Sequence, residues 1–195
     1  MEEKVKQDLY QYLLRCGSID ERLPECADVE DKWNGIAEAY LPDGMREFAA
    51  YPVVSLGWMM FIGMAVAKYW DTDWERYGAV DNLYEQMRAQ RGYDCLDEYV
   101  LEDVLQMKGD GLDQLNKLVA ECASRTNNVL CHSQIEAGTA AAFKAYVACL
   151  HQLYLMGSRS AIEANGLSYG INVKSWLARK VIYLSLGFNR SGLKS

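Results

Sequence analysis

The sequence predicts an all-α fold: a single-domain helical bundle, residues 1–195, of about seven to nine helices around a central apolar helix at residues 52–70. Apolar residues recur at spacings of three and four along most of the chain, which is the periodicity of an amphipathic helix. Only three prolines occur, at positions 24, 42 and 52, so the rest of the chain can form long helices. Residues 48–67, FAAYPVVSLGWMMFIGMAVA, carry no charge, and a helix that is apolar on all sides suits the centre of a bundle.

The first helix is predicted over residues 2–16, with Gly17 at its end. Its apolar face consists of Val5, Leu9, Tyr12, Leu13 and Cys16. Residues 17–28 are polar and contain Pro24, so a loop is expected there. The second helix is predicted over about 29–41, with Trp33, Ile36, Ala37 and Tyr40 on one face.

The tetrapeptide LPDG at 41–44 has the composition of a β-turn, with proline in the second position, so the second helix is expected to end there. A short helical piece follows, up to Tyr51. Pro52 suits the first position of the central helix, because the missing N–H is not needed at that point.

Residues 71–75, DTDWE, place Thr72 and Glu75 in capping-box spacing, which predicts the start of another helix that Gly92 closes. Its apolar side would be Trp74, Tyr77, Val80, Leu83, Tyr84 and Met87. Asp94 is expected to cap the next helix, which KGDG at 108–111 ends. Leu96, Val100 and Val104 would face inward.

From residue 112 the apolar spacing of a helix continues, but an interruption is expected at 126–128 (TNN) or at Gly138. The apolar positions are Leu112, Leu115, Val119, Cys122, Thr126, Val129 and Leu130. An alanine-rich helix is predicted over residues 139–157. Ser160 and Glu163 have the spacing of another capping box, and the last helix is predicted over residues 172–186.

The charge-free run admits two locations, the interior of the protein or a membrane. Twenty residues at about 1.5 Å each span the roughly 30 Å of a bilayer's hydrocarbon core. Pro52 shortens the uncharged helical part, and the charges on the two flanks show no positive-inside asymmetry. The surrounding amphipathic helices need a partner for their apolar faces, so a buried central helix is favoured over a membrane span or an oligomer contact. Gly57, Met60 and Met64 should then be almost wholly buried.

The charge distribution excludes one class of partner and suggests others. The net charge of −7 argues against nucleic acid, because neutralising phosphates requires a basic surface. Residues 1–110 have a net charge of −12 and residues 111–195 a net charge of +5. The basic part is expected to dock on the acidic part of the same molecule, or else each part meets a separate partner.

The six cysteines form no CxxC pair and have no zinc-site spacing. The N-terminal residues MEEKVKQDLYQYLL lack the continuous apolar segment of a signal peptide. A soluble, cytoplasmic protein with reduced cysteines is therefore expected.

Three residues are the candidates for a ligand or metal site: His132, Glu136 and His151. His132 and Glu136 lie four positions apart, so on a helix they would share a face, and His151 follows in the same alanine-rich region. Histidines and carboxylates on inward faces of a bundle form diiron sites, but the Glu-x-x-His pairs of that class are missing here. The plainer interpretation is a surface ion pair for His132–Glu136 and a core histidine bonded to a carbonyl for His151.

Large aromatic residues are the candidates for an interaction surface, because Tyr and Trp are enriched at protein interfaces. We single out Trp58, Trp70, Trp176 and Tyr183. The last two belong to a basic amphipathic C-terminal segment. Such a segment can lie on an anionic membrane, but an ordinary core-facing helix whose basic residues meet the acidic half is favoured.

The function predicted from these observations is a non-enzymatic protein-interaction or adaptor domain, because no hydrolase, P-loop or dinucleotide-binding motif occurs. The partner would be another protein or a second copy of the chain, with no membrane span, and no cofactor is predicted. The alternative is a helical-bundle enzyme or binding protein for a metal or small ligand that uses His132, Glu136 and His151.

Overall fold

The structure, a computed structural model, describes residues 1–20 and 26–164. All regular structure in these two ranges is helical, which confirms the all-α class. The helices are α1 Glu2–Arg15, α2 Ala27–Glu30, α3 Trp33–Ala50, α4 Pro52–Gly78, α5 Leu83–Arg91, α6 Leu96–Glu98, α7 Asp110–Cys131 and α8 Ala140–Ala164. A 3₁₀ turn, Tyr93–Cys95, precedes α6, and a π-helical segment, Tyr99–Val104, follows it.

The predicted central helix is α4, which begins at Pro52 as expected and packs against α8, α7 and α3. Every residue from Ser55 to Ala67 is buried. Met60 and Met64 have no exposed surface and Gly57 is buried, so the expectation for these three positions is confirmed. From Ser55 onward, the charge-free run therefore forms the core of the bundle.

Among the described helices, α4 and α8 make the most extensive contact, and they run in the same direction. Ser55 of α4 meets Tyr146 of α8, and Gly63 meets Tyr154 further along both helices. A Cβ atom on Gly63 would lie 2.1 Å from the carbonyl oxygen of Tyr154. A Cβ atom on Gly157 would lie 2.1 Å from the carbonyl oxygen of Met60. The two backbones approach closely because each helix carries a glycine where they cross.

The turn predicted at LPDG is wrong, since α3 continues through Pro42 to Ala50. Tertiary contacts hold these residues in the helix. The carboxylate of Asp43 accepts a hydrogen bond from Tyr84 Oη at 2.8 Å and pairs with Arg88 Nε at 3.1 Å. The carbonyl oxygen of Gly44 accepts a bond from Ser55 Oγ at 2.8 Å. The second predicted helix is correspondingly divided into α2 and the longer α3.

A helix does restart close to the predicted start at Thr72, but Asp73 caps it and it ends at Gly78, well before Gly92. α4 extends to Gly78 across a kink at Asp73, whose φ of −157° is not helical. Asp73, not Thr72, satisfies a free N–H there, since its Oδ1 accepts from Arg76 N at 3.3 Å. The next helix, α5, starts only at Leu83, where Asn82 accepts from Glu85 N, and Gly92 ends it as predicted.

The remaining predictions have mixed outcomes. Leu96, Val100 and Val104 are buried as expected. α7 passes through TNN at 126–128 without a break. The interruption of the helix lies instead in the loop between Cys131 and Ala140, where Gly138 has a φ of +77°. The capping box at Ser160 is wrong, because α8 continues to Ala164 with Ser160 buried inside it. The helix predicted over 172–186 lies outside the described residues.

One helix in the described part of the chain, Pro52–Gly78, is long and apolar enough to cross a membrane, since its most apolar window of 18 residues has a mean hydropathy of 1.4. Of its most apolar window, 78% is buried inside the protein. This burial is what the core helix of a helical bundle shows.

Candidate functional site

A cavity of about 240 Å³ lies between the first turns of α1, the short α2 and the C-terminal halves of α4 and α8. The side chains around it are of all chemical types: Glu2, Lys6, Cys26, Val29, Glu30, Ala67, His151, Gln152, Leu155, Ser158 and Arg159. His151 is the one sequence-predicted site residue among them. It reaches the cavity because the fold brings the first residues of the chain against the second half of α8.

His151 is held by two neighbours. Its ring packs on the indole of Trp33, with ring centroids 4.6 Å apart. Its Nδ1 lies 3.5 Å from Oε1 of Glu2, and its Nε2 is buried without a hydrogen-bond partner among the described residues. The carbonyl contact that the plainer interpretation expected for His151 is thus replaced by a carboxylate neighbour.

Gln152, next to His151, carries a second buried atom without a partner. Its side chain is only 3% exposed, and Nε2 donates to Glu2 Oε1 at 2.9 Å. Its Oε1 is buried and accepts no bond from any described residue. Buried polar atoms normally have partners, so two such atoms on adjacent residues at one cavity are unusual.

His132 and Glu136 lie elsewhere, and the expectation that they share a helix face is wrong. α7 ends at Cys131, and His132 is its C-cap residue, with Nδ1 2.7 Å from the carbonyl oxygen of Asn128. Glu136 is exposed in the loop before α8. Neither residue lines the cavity beside His151, so the three do not converge. Within residues 1–20 and 26–164, no group of three or more His, Cys, Asp or Glu side chains could hold a metal ion.

A second buried polar cluster joins α3, α4, α5 and α8, and it differs from the cavity because its oxygens are paired. Tyr40 Oη donates to the carbonyl oxygen of Ser55 at 2.5 Å, and Ser55 Oγ lies 2.7 Å from Tyr146 Oη. Asp43 and Tyr84 form the other part of the cluster. Burial raises the pKa of Tyr146 to about 12. Because its polar atoms are satisfied within the protein, we assign this cluster a structural role.

Exposed apolar side chains concentrate at the end of the bundle where α3 meets α4 and where α8 begins. Apart from Met1, the large hydrophobic residues exposed in the described ranges are Met45, Tyr51, Val54 and Phe143. Tyr51 is 63% exposed and Phe143 is 45% exposed. Half-buried Phe48 connects the two groups, because its ring lies 4.6 Å from that of Tyr146, one helical turn beyond Phe143. We call Met45, Phe48, Tyr51, Val54 and Phe143 the apolar end.

The tryptophans predicted at an interface are placed differently. Trp58 is only 8% exposed and its ring packs edge-on against Tyr93, so it belongs to the core. Trp70 is half-buried, and its Nε1 donates to Asp28 at 2.9 Å. Trp176 and Tyr183 lie outside the described residues.

Sequence reasoning missed both Gln152 and the apolar end. Gln152 gives no signal in sequence, because its partner Glu2 is 150 positions away. Tyr51 and Val54 did carry a signal, since they stand at the start of the charge-free run, before the helix enters the core. Searches against protein-family models, curated proteins and solved structures find no match to this chain.

Proposed function

We propose that the protein is a helical interaction domain that associates through the apolar end, with a second copy of the chain as its partner. The observation that carries the proposal is the concentration of exposed apolar side chains at one end of the bundle. Proteins that act alone rarely expose contiguous apolar patches, and patches of this kind mark interaction sites. Two identical patches can meet across a two-fold axis and need no further component.

Two side chains of the apolar end are suited to be its main contacts. Tyr51 and Phe143 supply large, rigid rings, the residue type that dominates binding energy at interfaces. Both lie at helix ends, Tyr51 just before α4 and Phe143 in the first turn of α8. Their exposure in the isolated chain leaves this surface free for a partner.

The experiment is sedimentation equilibrium of the full chain over a concentration series, with the variant Tyr51→Ser/Phe143→Ser. We expect a reversible dimer for the wild type and a monomer for the variant. Both replaced side chains are exposed, so the variant should retain its helical circular dichroism and melting temperature. Lys144→Ser is the matched control, because Lys144 is an exposed polar neighbour of Phe143.

A wild-type chain that stays monomeric throughout the series contradicts self-association. If the double variant still forms the dimer, the interface lies elsewhere, and the role of the apolar end is contradicted.

A further inference from the structure

We propose that the cavity beside His151 binds a small zwitterion of the aliphatic α-amino acid class. This site is separate from the apolar end. On α4, the cavity residue Ala67 lies 13 positions from Val54, which corresponds to about 20 Å along the helix. The two proposals therefore stand or fall independently.

The partnerless oxygen of Gln152 in the cavity wall calls for a hydrogen-bond donor. The amide of Gln152 has a fixed orientation, because a flip would place its oxygen against the carboxylate of Glu2. Gln152 Oε1 is therefore an unpaired acceptor. His151 Nε2, which like Gln152 Oε1 lacks a hydrogen-bond partner, lies beside it in the cavity wall. An ammonium group, with three N–H donors, can satisfy Gln152 Oε1 and a carboxylate of the wall at the same time.

The charges around the cavity select a ligand that carries both signs. Glu2 and Glu30 supply two carboxylates, and Lys6 supplies a cation. A simple amine would leave Lys6 without a ligand anion, and a simple anion would face the carboxylates. An α-amino acid offers an ammonium group to the carboxylates and a carboxylate to Lys6.

The remaining wall and the volume fit an aliphatic side chain. Val29, Ala67 and Leu155 line the apolar part of the cavity. For scale, an apolar cavity of about 150 Å³ holds benzene. The volume of about 240 Å³ therefore accommodates a molecule of the size of leucine.

The test is isothermal titration of the full chain with L-leucine, isoamylamine and 4-methylpentanoate. The last two ligands each keep the aliphatic chain but lack one of the charged groups. We expect saturable binding of leucine and at least tenfold weaker binding of either single-charge compound. No saturation with any of the three overturns the proposal.

The variant Gln152→Met removes the unpaired acceptor while nearly conserving the side-chain length. We expect it to weaken leucine binding at least tenfold, whereas Gln90→Met, at an exposed site on α5, leaves binding unchanged. If Gln152→Met binds leucine as tightly as the wild type, the assignment of the site to this cavity is overturned. If Gln152→Met does not fold, Lys6→Met on α1 takes its place, with the same tenfold loss expected. The oligomeric state is read in parallel, so failure here is distinct from failure of the apolar end.

Discussion

The cysteines should divide into two reactivity classes according to burial. Cys122 and Cys149 have no exposed surface, and burial raises the pKa of each thiol to about 12. Cys16 and Cys131 are exposed. Because the thiolate is the reactive form, we expect iodoacetamide at mildly alkaline pH to label the exposed pair rapidly and the buried pair only after unfolding. Mass spectrometry of peptides checks this.

The labelling experiment has an internal control, since all six cysteines should react in guanidinium chloride. Rapid labelling of Cys122 in the native protein would mean that α7 does not pack as described.

The raised pKa of Tyr146 predicts that the protein loses stability at alkaline pH. The pKa of Tyr146 in the folded protein is about 12, above the ordinary tyrosine value of 10.0, because burial disfavours the phenolate. A raised folded pKa contributes stability that is complete below pH 10 and is lost as the pH rises toward 12. The free energy of unfolding, measured with urea, should therefore fall between pH 10 and pH 12. In Tyr146→Phe the total fall should be smaller by about 2–3 kcal/mol.

Tyr51→Phe, measured at concentrations at which the chain is monomeric, is the control for this profile, because the hydroxyl group it removes then belongs to an exposed side chain. Its pH dependence should match that of the wild type. An identical decline in Tyr146→Phe would assign the alkaline instability to other groups.

At the scale of residues, the sequence predicted one member of the cavity and missed the others. His151 stood out because the chain has only two histidines. The spacing of His132 and Glu136 suggested a shared face only on the assumption of a continuous helix, and that helix ends at Cys131. Gln152 gains its role from tertiary contacts, which no local pattern records.

At the scale of elements, the crossing of α4 and α8 predicts a strong intolerance of side chains at two glycines. Gly63→Ala or Gly157→Ala would force apart backbones that now approach each other directly. We expect each to lower the free energy of unfolding by about 3 kcal/mol, in spite of the better helix propensity of alanine. Chemical denaturation measures the loss.

Gly111→Ala is the matched control at the start of α7. The nearest atom to its Cβ would be Cε of Met107, at 3.2 Å, on a flexible side chain. We expect it to be neutral or to stabilise by up to about 1 kcal/mol. An equal loss in all three variants would show that the crossing is not the cause.

The elements whose limits were predicted wrongly share a physical reason. LPDG and DTDWE have turn and capping composition, but composition describes local preference only. Asp43 remains helical because Tyr84 and Arg88 bind its carboxylate across the bundle. By contrast, Gly17 and Gly92 end helices as predicted, since each adopts a positive φ that other residues avoid.

At the scale of the whole molecule, the charge asymmetry is sharper than the division at residue 110 suggested. Residues 111–164 are neutral, and the net charge of +5 lies entirely in residues 165–195, which contain no acidic residue. Residues 1–164 have a net charge of −12. The docking of the basic segment on the acidic part of the same molecule stays a prediction from these charges.

Carbodiimide cross-linking tests this prediction, because it joins lysine amines to carboxylates in direct contact. We expect cross-links from Lys174 or Lys180 to acidic residues within the same chain, fewer at high salt. Mixing of isotopically labelled and unlabelled chains identifies links between two copies. Links found only between copies would contradict docking within one molecule.

The fold class was predictable because helical periodicity and one charge-free helix leave few alternatives to a bundle. The pairing of helices was not, since several amphipathic faces are chemically alike. The alanine content of α8 favours close approach by a neighbouring helix, but that content does not name the partner; the opposing glycines at 63 and 157 pair α8 with α4.

The partnership of α4 with α8 also sets the order of events on the ribosome. The contact of Ser55 with Tyr146 joins residues 91 positions apart, so the most apolar helix is synthesised long before its main partner. During that interval the nascent chain exposes the surface most prone to aggregation and most attractive to chaperones. The core closes only when α8 has been made, and each act of refolding must bring the same distant segments together.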